Sequence, residues 1–113
     1  MIEEKAFNVG DIIFRQGDAA SGEAYLVHEG AVEVSRNDGD EKVRVLRTLG
    51  KGDLLGEVAL FRSAPHSATA VALEPVTLIV ITEDRLEQMV RTHPELALAL
   101  IRQLARMAAG EGR

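Results

Sequence analysis

The chain has 113 residues, no cysteine and a formal net charge of −5. That length suits one domain (1–113) and is too short for two. The lack of cysteine excludes a disulfide framework, a thiolate zinc site and a thiol nucleophile, and the acidic balance argues against nucleic acid as the main partner. Hydrophobic residues make up 46% and aromatic ones 4%, so the composition is globular and the core must rest on Val, Leu, Ile and Ala.

The opening residues, Met1-Ile2-Glu3-Glu4-Lys5, lack the basic and apolar regions of a signal peptide. No run approaches the ~18 apolar residues of a membrane span. A cytoplasmic location without a membrane partner is expected. Eight of the ten glycines, at 10, 17, 22, 30, 39, 50, 52 and 56, punctuate short β-branched runs. That pattern reads as short antiparallel strands, here over residues 6–9, 11–14, 24–28, 31–36, 42–49, 54–57, 67–72 and 76–82. Asn37-Asp38-Gly39-Asp40 is a hairpin signal, and Asp11 and Asp53 each follow a glycine and open a strand. Eight such strands predict a mainly β domain, a jelly-roll or β-roll over residues 6–82.

The period then changes. Residues 83–91 predict a short helix with Thr82 as N-cap, Glu83 and Asp84 in its first turn, and Leu86, Met89 and Val90 on one face. Thr92-His93-Pro94-Glu95 fits a capping box, with Thr92 as N-cap and Glu95 at N3. It opens a second helix over residues 93–109. That helix carries one stripe of Ala97, Ile101, Leu104 and Ala108 and a second of Leu96, Leu100 and Met107. Either the whole width packs on the β-roll, or one stripe meets a partner helix or a ligand.

The most informative stretch runs from Gly56 to Thr69, Gly-Glu-Val-Ala-Leu-Phe-Arg-Ser-Ala-Pro-His-Ser-Ala-Thr. A Gly-Glu pair ends an apolar run, an apolar turn follows, and a Ser/Pro/His loop leads back into a strand pattern. Small residues let the backbone approach a ligand closely, and successive N–H groups in a turn form an anion-binding nest. The segment suits a small ligand with hydroxyls and an anionic group.

Gly-Glu-Val-Ala-Leu followed by Pro-His-Ser-Ala-Thr resembles the phosphate-binding cassette of cyclic nucleotide-binding domains, as found in protein kinase A regulatory subunits, cyclic-nucleotide-gated channels and catabolite activator protein. The similarity extends to residues 7–18, with their Gln-Gly-Asp turn, and to the hairpin sequence of residues 24–34. It implies a cAMP or cGMP ligand, an effector protein that receives the signal through movement of the last helix, and a homodimer through that helix. It also implies ligand contacts from Gly56, Glu57, Val58, Ala59, His66, Ser67, Ala68 and Thr69. Glu57 would accept from the ribose 2′-hydroxyl. Gly56 and Ala59 would offer backbone contacts, and Ser67 its N–H and hydroxyl. Where the family carries an Arg after the Pro, this chain has His66.

That departure matters physically. A guanidinium is always charged and grips a phosphate with a planar fork; a histidine has fewer donors and an ordinary pKa of about 6.5. Three outcomes follow: His66 protonates on binding, Arg62 takes over the charge, or the pocket has lost the nucleotide and acts by protein–protein contact. For the base, Val45 and Leu55 are the strand candidates, and Leu104, Arg106 or Met107 the helix ones.

Other chemistry fits poorly. Residues 37–41 do not satisfy an EF-hand loop, and Gly50-Lys51-Gly52-Asp53 is not a P-loop. His28, His66 and His93 are dispersed, whereas a cupin-like metal enzyme would want them clustered. No serine sits in a nucleophile context. The chain is therefore expected to be a non-catalytic module without a metal, and without a nucleic-acid partner of its own.

Overall fold

A computed structural model describes residues 3–39, 42–56 and 64–108, the side chains of Leu96 and of residues 103–108 excepted. Among the described residues there are eight strands and two helices: β1 Glu4–Phe7, β2 Ile12–Phe14, β3 Ala24–Glu29, β4 Val32–Asn37, β5 Val43–Leu49, β6 Leu54–Leu55, β7 Thr69–Ala72, β8 Val76–Ile81, α1 Glu83–Thr92 and α2 Pro94–Ala108. They form two four-stranded antiparallel sheets, β1-β8-β3-β6 and β2-β7-β4-β5. This is the expected jelly-roll followed by two helices.

One turn is used three times. In Asn8–Asp11, Arg15–Asp18 and Gly50–Asp53, the aspartate N–H donates to the carbonyl three residues back, at 3.0 Å each time. Its carboxylate accepts from that same residue's N–H at 2.8, 2.9 and 2.8 Å. The glycine before each aspartate has φ of 87°, 89° and 90°, which only glycine adopts without strain. The Gly-Asp pairs seen in the sequence thus close these turns from both sides. They also move a boundary: Asn8 and Val9 belong to the first turn, so β1 is shifted from 6–9 to Glu4–Phe7, where it pairs with β8.

The core lies between the sheets. Tyr25, Val27, Val32, Val34, Leu49, Leu55, Ala68, Ala70, Ala72, Val76, Leu78 and Val80 form one buried cluster. Burying an aliphatic side chain of this size contributes about 1.5–3 kcal/mol. Gly30 is forced by packing as well as by its φ of 95°: a Cβ there would meet the Pro75 carbonyl oxygen at 2.3 Å.

A second cluster joins the helices to the first sheet through Ala24, Leu54, Ile81 and Leu100, with Leu26, Leu86 and Met89 against it. Thr82 caps α1 as expected, its Oγ1 accepting from the Arg85 N–H at 3.2 Å. The expected capping box does not form. Thr92 is the last residue of α1, and its hydroxyl donates to the Gln88 carbonyl at 2.9 Å. The break falls one residue later, at His93, because Pro94 pushes its predecessor out of the helical region; His93 has φ −139° and ψ 65°. Pro94 then opens α2, the position proline favours.

On α2 the predicted stripes do not separate as drawn. Ala97 and Leu100 are buried, one from each stripe, while Ile101 is 59% exposed. The contact line runs between the stripes. Leu96, Leu104, Arg106, Met107 and Ala108 have side chains outside the described residues.

Candidate functional site

The candidate site lies where β6 ends and β7 begins. Gly56 closes β6 with a φ of 77°. Glu57, Val58, Ala59 and Arg62 follow, and all four lie outside the described residues. The described chain resumes at Ala64 and reaches His66, whose backbone is clamped to the Gln16-Gly17-Asp18 turn. His66 N–H donates to the Asp18 carbonyl at 2.9 Å, and Gly17 N–H donates to the His66 carbonyl at 2.8 Å.

The two ends of the segment meet. A Cβ on Gly56 would sit 3.5 Å from Cε1 of His66, 3.5 Å from Cε2 of Phe14 and 3.7 Å from Cδ2 of Tyr25. These are ordinary contact distances to three rings, so it is the φ of 77° and not lack of space that favours glycine here. The His66 ring is buried and stacks on Phe14, with centroids 3.8 Å apart and planes 17° apart. Tyr25 continues the array, its centroid 6.5 Å from that of Phe14. Burial pushes the His66 imidazole below its ordinary value, and the charge of Asp18 works against that shift without cancelling it. His66 is thus a neutral, stacked ring at physiological pH.

Behind the rings lies a polar anchor. Tyr25 Oη donates to Glu23 Oε1 at 2.8 Å, and Lys5 Nζ donates to the same oxygen at 3.1 Å. Lys5 Nζ also lies 5.7 Å from the Tyr25 ring centre, within cation–π range. Burial and the Glu23 carboxylate raise the Tyr25 hydroxyl to about 12. Burial would raise Glu23 in turn, but the bonds from Tyr25 and Lys5, with the charges of Lys5 and Arg85, leave it below its ordinary value. Sequence reasoning missed Phe14, Tyr25, Glu23 and Lys5. The available signal was scarcity: the chain has three phenylalanines and one tyrosine, and two of these four rings gather at His66.

The remaining candidates separate by face. Ala68 and Leu55 are core residues. Ser67 is exposed beside His66. Thr69 alternates with buried Ala68 and Ala70, so it lies on the outer face of the second sheet, where its Oγ1 accepts from the Gln16 N–H at 3.0 Å. Val45 is a correction. It pairs with Ser35, which pairs with Thr69, so Val45 shares that outer face and is 54% exposed. The reason is a bulge in β5: Arg47 opposes Val34 and Val45 opposes Ser35, leaving Leu46 as an extra residue. Leu46 and Arg47, not Val45, take the core side.

Among the described residues no group of three or more His, Cys, Asp or Glu could hold a metal ion, and no helix is long and apolar enough to cross a membrane.

A family model described as "Cyclic nucleotide-binding domain" matches residues 4–93. The chain belongs to the cyclic nucleotide-binding domain family. It is 35% identical over 104 residues to the cyclic AMP receptor protein of Thermus thermophilus, covering 92% of this chain and 48% of that protein. It is 27% identical over 100 residues to a CRP-like cAMP-activated global transcriptional regulator of Mycobacterium tuberculosis, covering 88% and 44%. Against the crystal structure of the Thermus thermophilus catabolite activator protein the TM-score is 0.82, at 32% identity, covering 96% of this chain and 51% of that one. This cyclic nucleotide-binding domain thus spans about half the length of these relatives.

Proposed function

We propose that this chain is a non-catalytic regulatory module that binds a cyclic nucleotide, cAMP or cGMP, and signals through movement of α2. The observation that carries the reading is the junction of Gly56 with His66, because it brings the two ends of the cassette segment into contact beneath a glycine. Membership of the family and the names of the relatives support it. In this reading Glu57 takes the ribose hydroxyl. Gly56, Val58, Ala59, Ser67 and Ala68 line the sugar and phosphate, and His66 or Arg62 supplies the phosphate donor. Leu55 lies beneath as core. Ligand binding shifts α2 between two positions, and an effector protein or a second copy of the chain reads that shift.

A second reading has its own support. His66 is buried, neutral and stacked on Phe14, so the position where the family carries a permanent cation has none. A module of this kind would keep the fold and act by protein–protein contact. Calorimetric titration with cAMP and cGMP at pH 6 and pH 8 separates the two. Binding that strengthens at pH 6 is the expected result; absence of binding for both nucleotides at both values overturns the first reading in favour of the second.

A further inference from the structure

In the second sheet β4 and β7 pair Val32 with Ala72, Glu33 with Val71, Val34 with Ala70 and Ser35 with Thr69. Two residues further on, the same register would set Ser67 opposite Asn37. In an antiparallel ladder, every second opposed pair exchanges both backbone bonds. β7 instead begins at Thr69, and the chain bends at Ser67 and Ala68. Asn37 makes both of its bonds on that side with a side chain. Its N–H donates to Gln16 Oε1 at 2.8 Å, and its carbonyl accepts from Gln16 Nε2 at 2.8 Å. A primary amide offers the same acceptor and donor as a peptide group, so Gln16 completes the ladder at the place residue 67 would hold. Its own backbone fixes it there: Gln16 N–H donates to Thr69 Oγ1 at 3.0 Å, and the next two residues, Gly17 and Asp18, bond the backbone of His66.

The inference rests on the proposed function, in which Ser67 meets the phosphate. A residue inside the ladder has its N–H committed to the neighbouring strand, whereas one outside it can turn that N–H to an anion. Ser67 is exposed, and it lies between two residues tied to the Gln16-Gly17-Asp18 turn, His66 and Thr69. We infer that Gln16 is a positioning residue for the ligand segment: its side-chain amide takes the sheet position of residue 67 and so keeps the Ser67 N–H free of the ladder, facing the cyclic phosphate. Without the amide, the N–H and carbonyl of Asn37 would draw Ser67 into the sheet. β7 would lengthen by two residues, and the ligand segment would lose a donor. The Gln16–Asn37 bonds are exposed, so water also competes for Asn37 and the effect on binding is modest. It should be about twofold to tenfold, the span of one net hydrogen bond.

The test joins backbone amide exchange, followed by NMR, with calorimetric titration of the full chain by cAMP and cGMP. It compares the wild type with Q16M and Q16E. Methionine keeps the length and bulk of glutamine without its amide. Glutamate keeps the acceptor for the Asn37 N–H and lacks the donor for its carbonyl. In Q16M the Ser67 N–H should exchange more slowly than in the wild type, and both nucleotides should bind about twofold to tenfold more weakly. Q16E should fall between the two, and it carries the comparison if Q16M does not fold. Unchanged exchange at Ser67 overturns the inference whatever the affinity does, because a merely loosened turn would weaken binding without ordering Ser67. Slower exchange with undiminished affinity overturns it as well, since the Ser67 N–H would then not serve the ligand; both results leave the nucleotide module standing. A wild type that binds neither nucleotide overturns the proposed function, and amide exchange alone then decides whether Gln16 holds residue 67 out of the sheet.

Discussion

In the second sheet Phe14 pairs with Ala70, Ala70 with Val34 and Val34 with Arg47, and the two ends of this row share a face but differ in kind. At the Phe14 end, rings are stacked in a dry setting and burial lowers the His66 imidazole. At the Arg47 end, an edge strand keeps a permanent cation half-exposed. The difference shows how one sheet face can carry a neutral, titratable ring stacked at one end and a fixed charge at the other. Burial decides whether a basic side chain keeps its proton, and burial rises toward β7 and falls toward the edge strand β5.

Breaking the aromatic end should have the largest effect. Phe14→Ala removes the ring on which His66 stacks and should destabilise the fold by about 3 kcal/mol, the range for a large side chain leaving a core. Denaturant unfolding measures this, and NMR titration should show the imidazole moving back up toward its ordinary range. An unchanged imidazole would mean that Phe14 does not provide the dry surface.

His66→Arg should give this end a permanent cation and tighten cAMP binding by about 2 kcal/mol or more, the scale of a desolvated charged contact. Unchanged affinity would show that position 66 does not face the phosphate.

Tyr25→Phe deletes the hydroxyl that bonds Glu23 and should cost about 1–2 kcal/mol. The Glu23 carboxyl should rise toward its ordinary value. The stability that its lowered value provides is present above the unfolded carboxylate range and lost as pH falls through the folded value, so the variant should lose less stability on acidification. A parallel acid profile would contradict the bond's role.

Acidification sharpens the comparison further. The folded state holds His66 below the value of about 6.5 expected in the unfolded chain. Between the two values the unfolded state binds more protons, so stability is complete above about pH 6.5 and declines as pH falls through the folded value. Affinity for a phosphate ligand should move the opposite way, rising as the imidazole gains its proton. His66→Phe should flatten both profiles; a slope that survives would assign the titration to another group.

The smallest effect belongs to the β4–β5 tip. Arg36 and Arg44 are cross-strand neighbours and share the Asp38 carboxylate, each at 2.8 Å. All three side chains are substantially exposed, so Asp38→Ala should change the melting temperature only slightly, in line with surface pairs. A large loss would mean that two like charges face to face depend on Asp38 more than exposed pairs usually do.

Much of the fold was legible because its instructions are local. Gly10-Asp11 and Gly52-Asp53 announced turns closed within four residues, and Thr82 followed by Glu83 and Asp84 announced the start of α1. The cassette motif around Gly56 and His66 was readable as a motif. The Thr92 capping box was misread because a threonine hydroxyl serves a helix start or the preceding turn equally well, and Pro94 settled the break at His93. What only the tertiary structure decided was which way side chains face. Val45 read as a pocket residue, yet one extra residue at Leu46 turns it to the outer face, while Arg47 keeps the core face of Leu49. Strand alternation has a period of two, so a single inserted residue inverts everything beyond it, and such a bulge is defined only by the partner strand. The stacking of His66 on Phe14 was hidden for the same reason: it joins residues 52 positions apart that nothing but the packed sheet brings together.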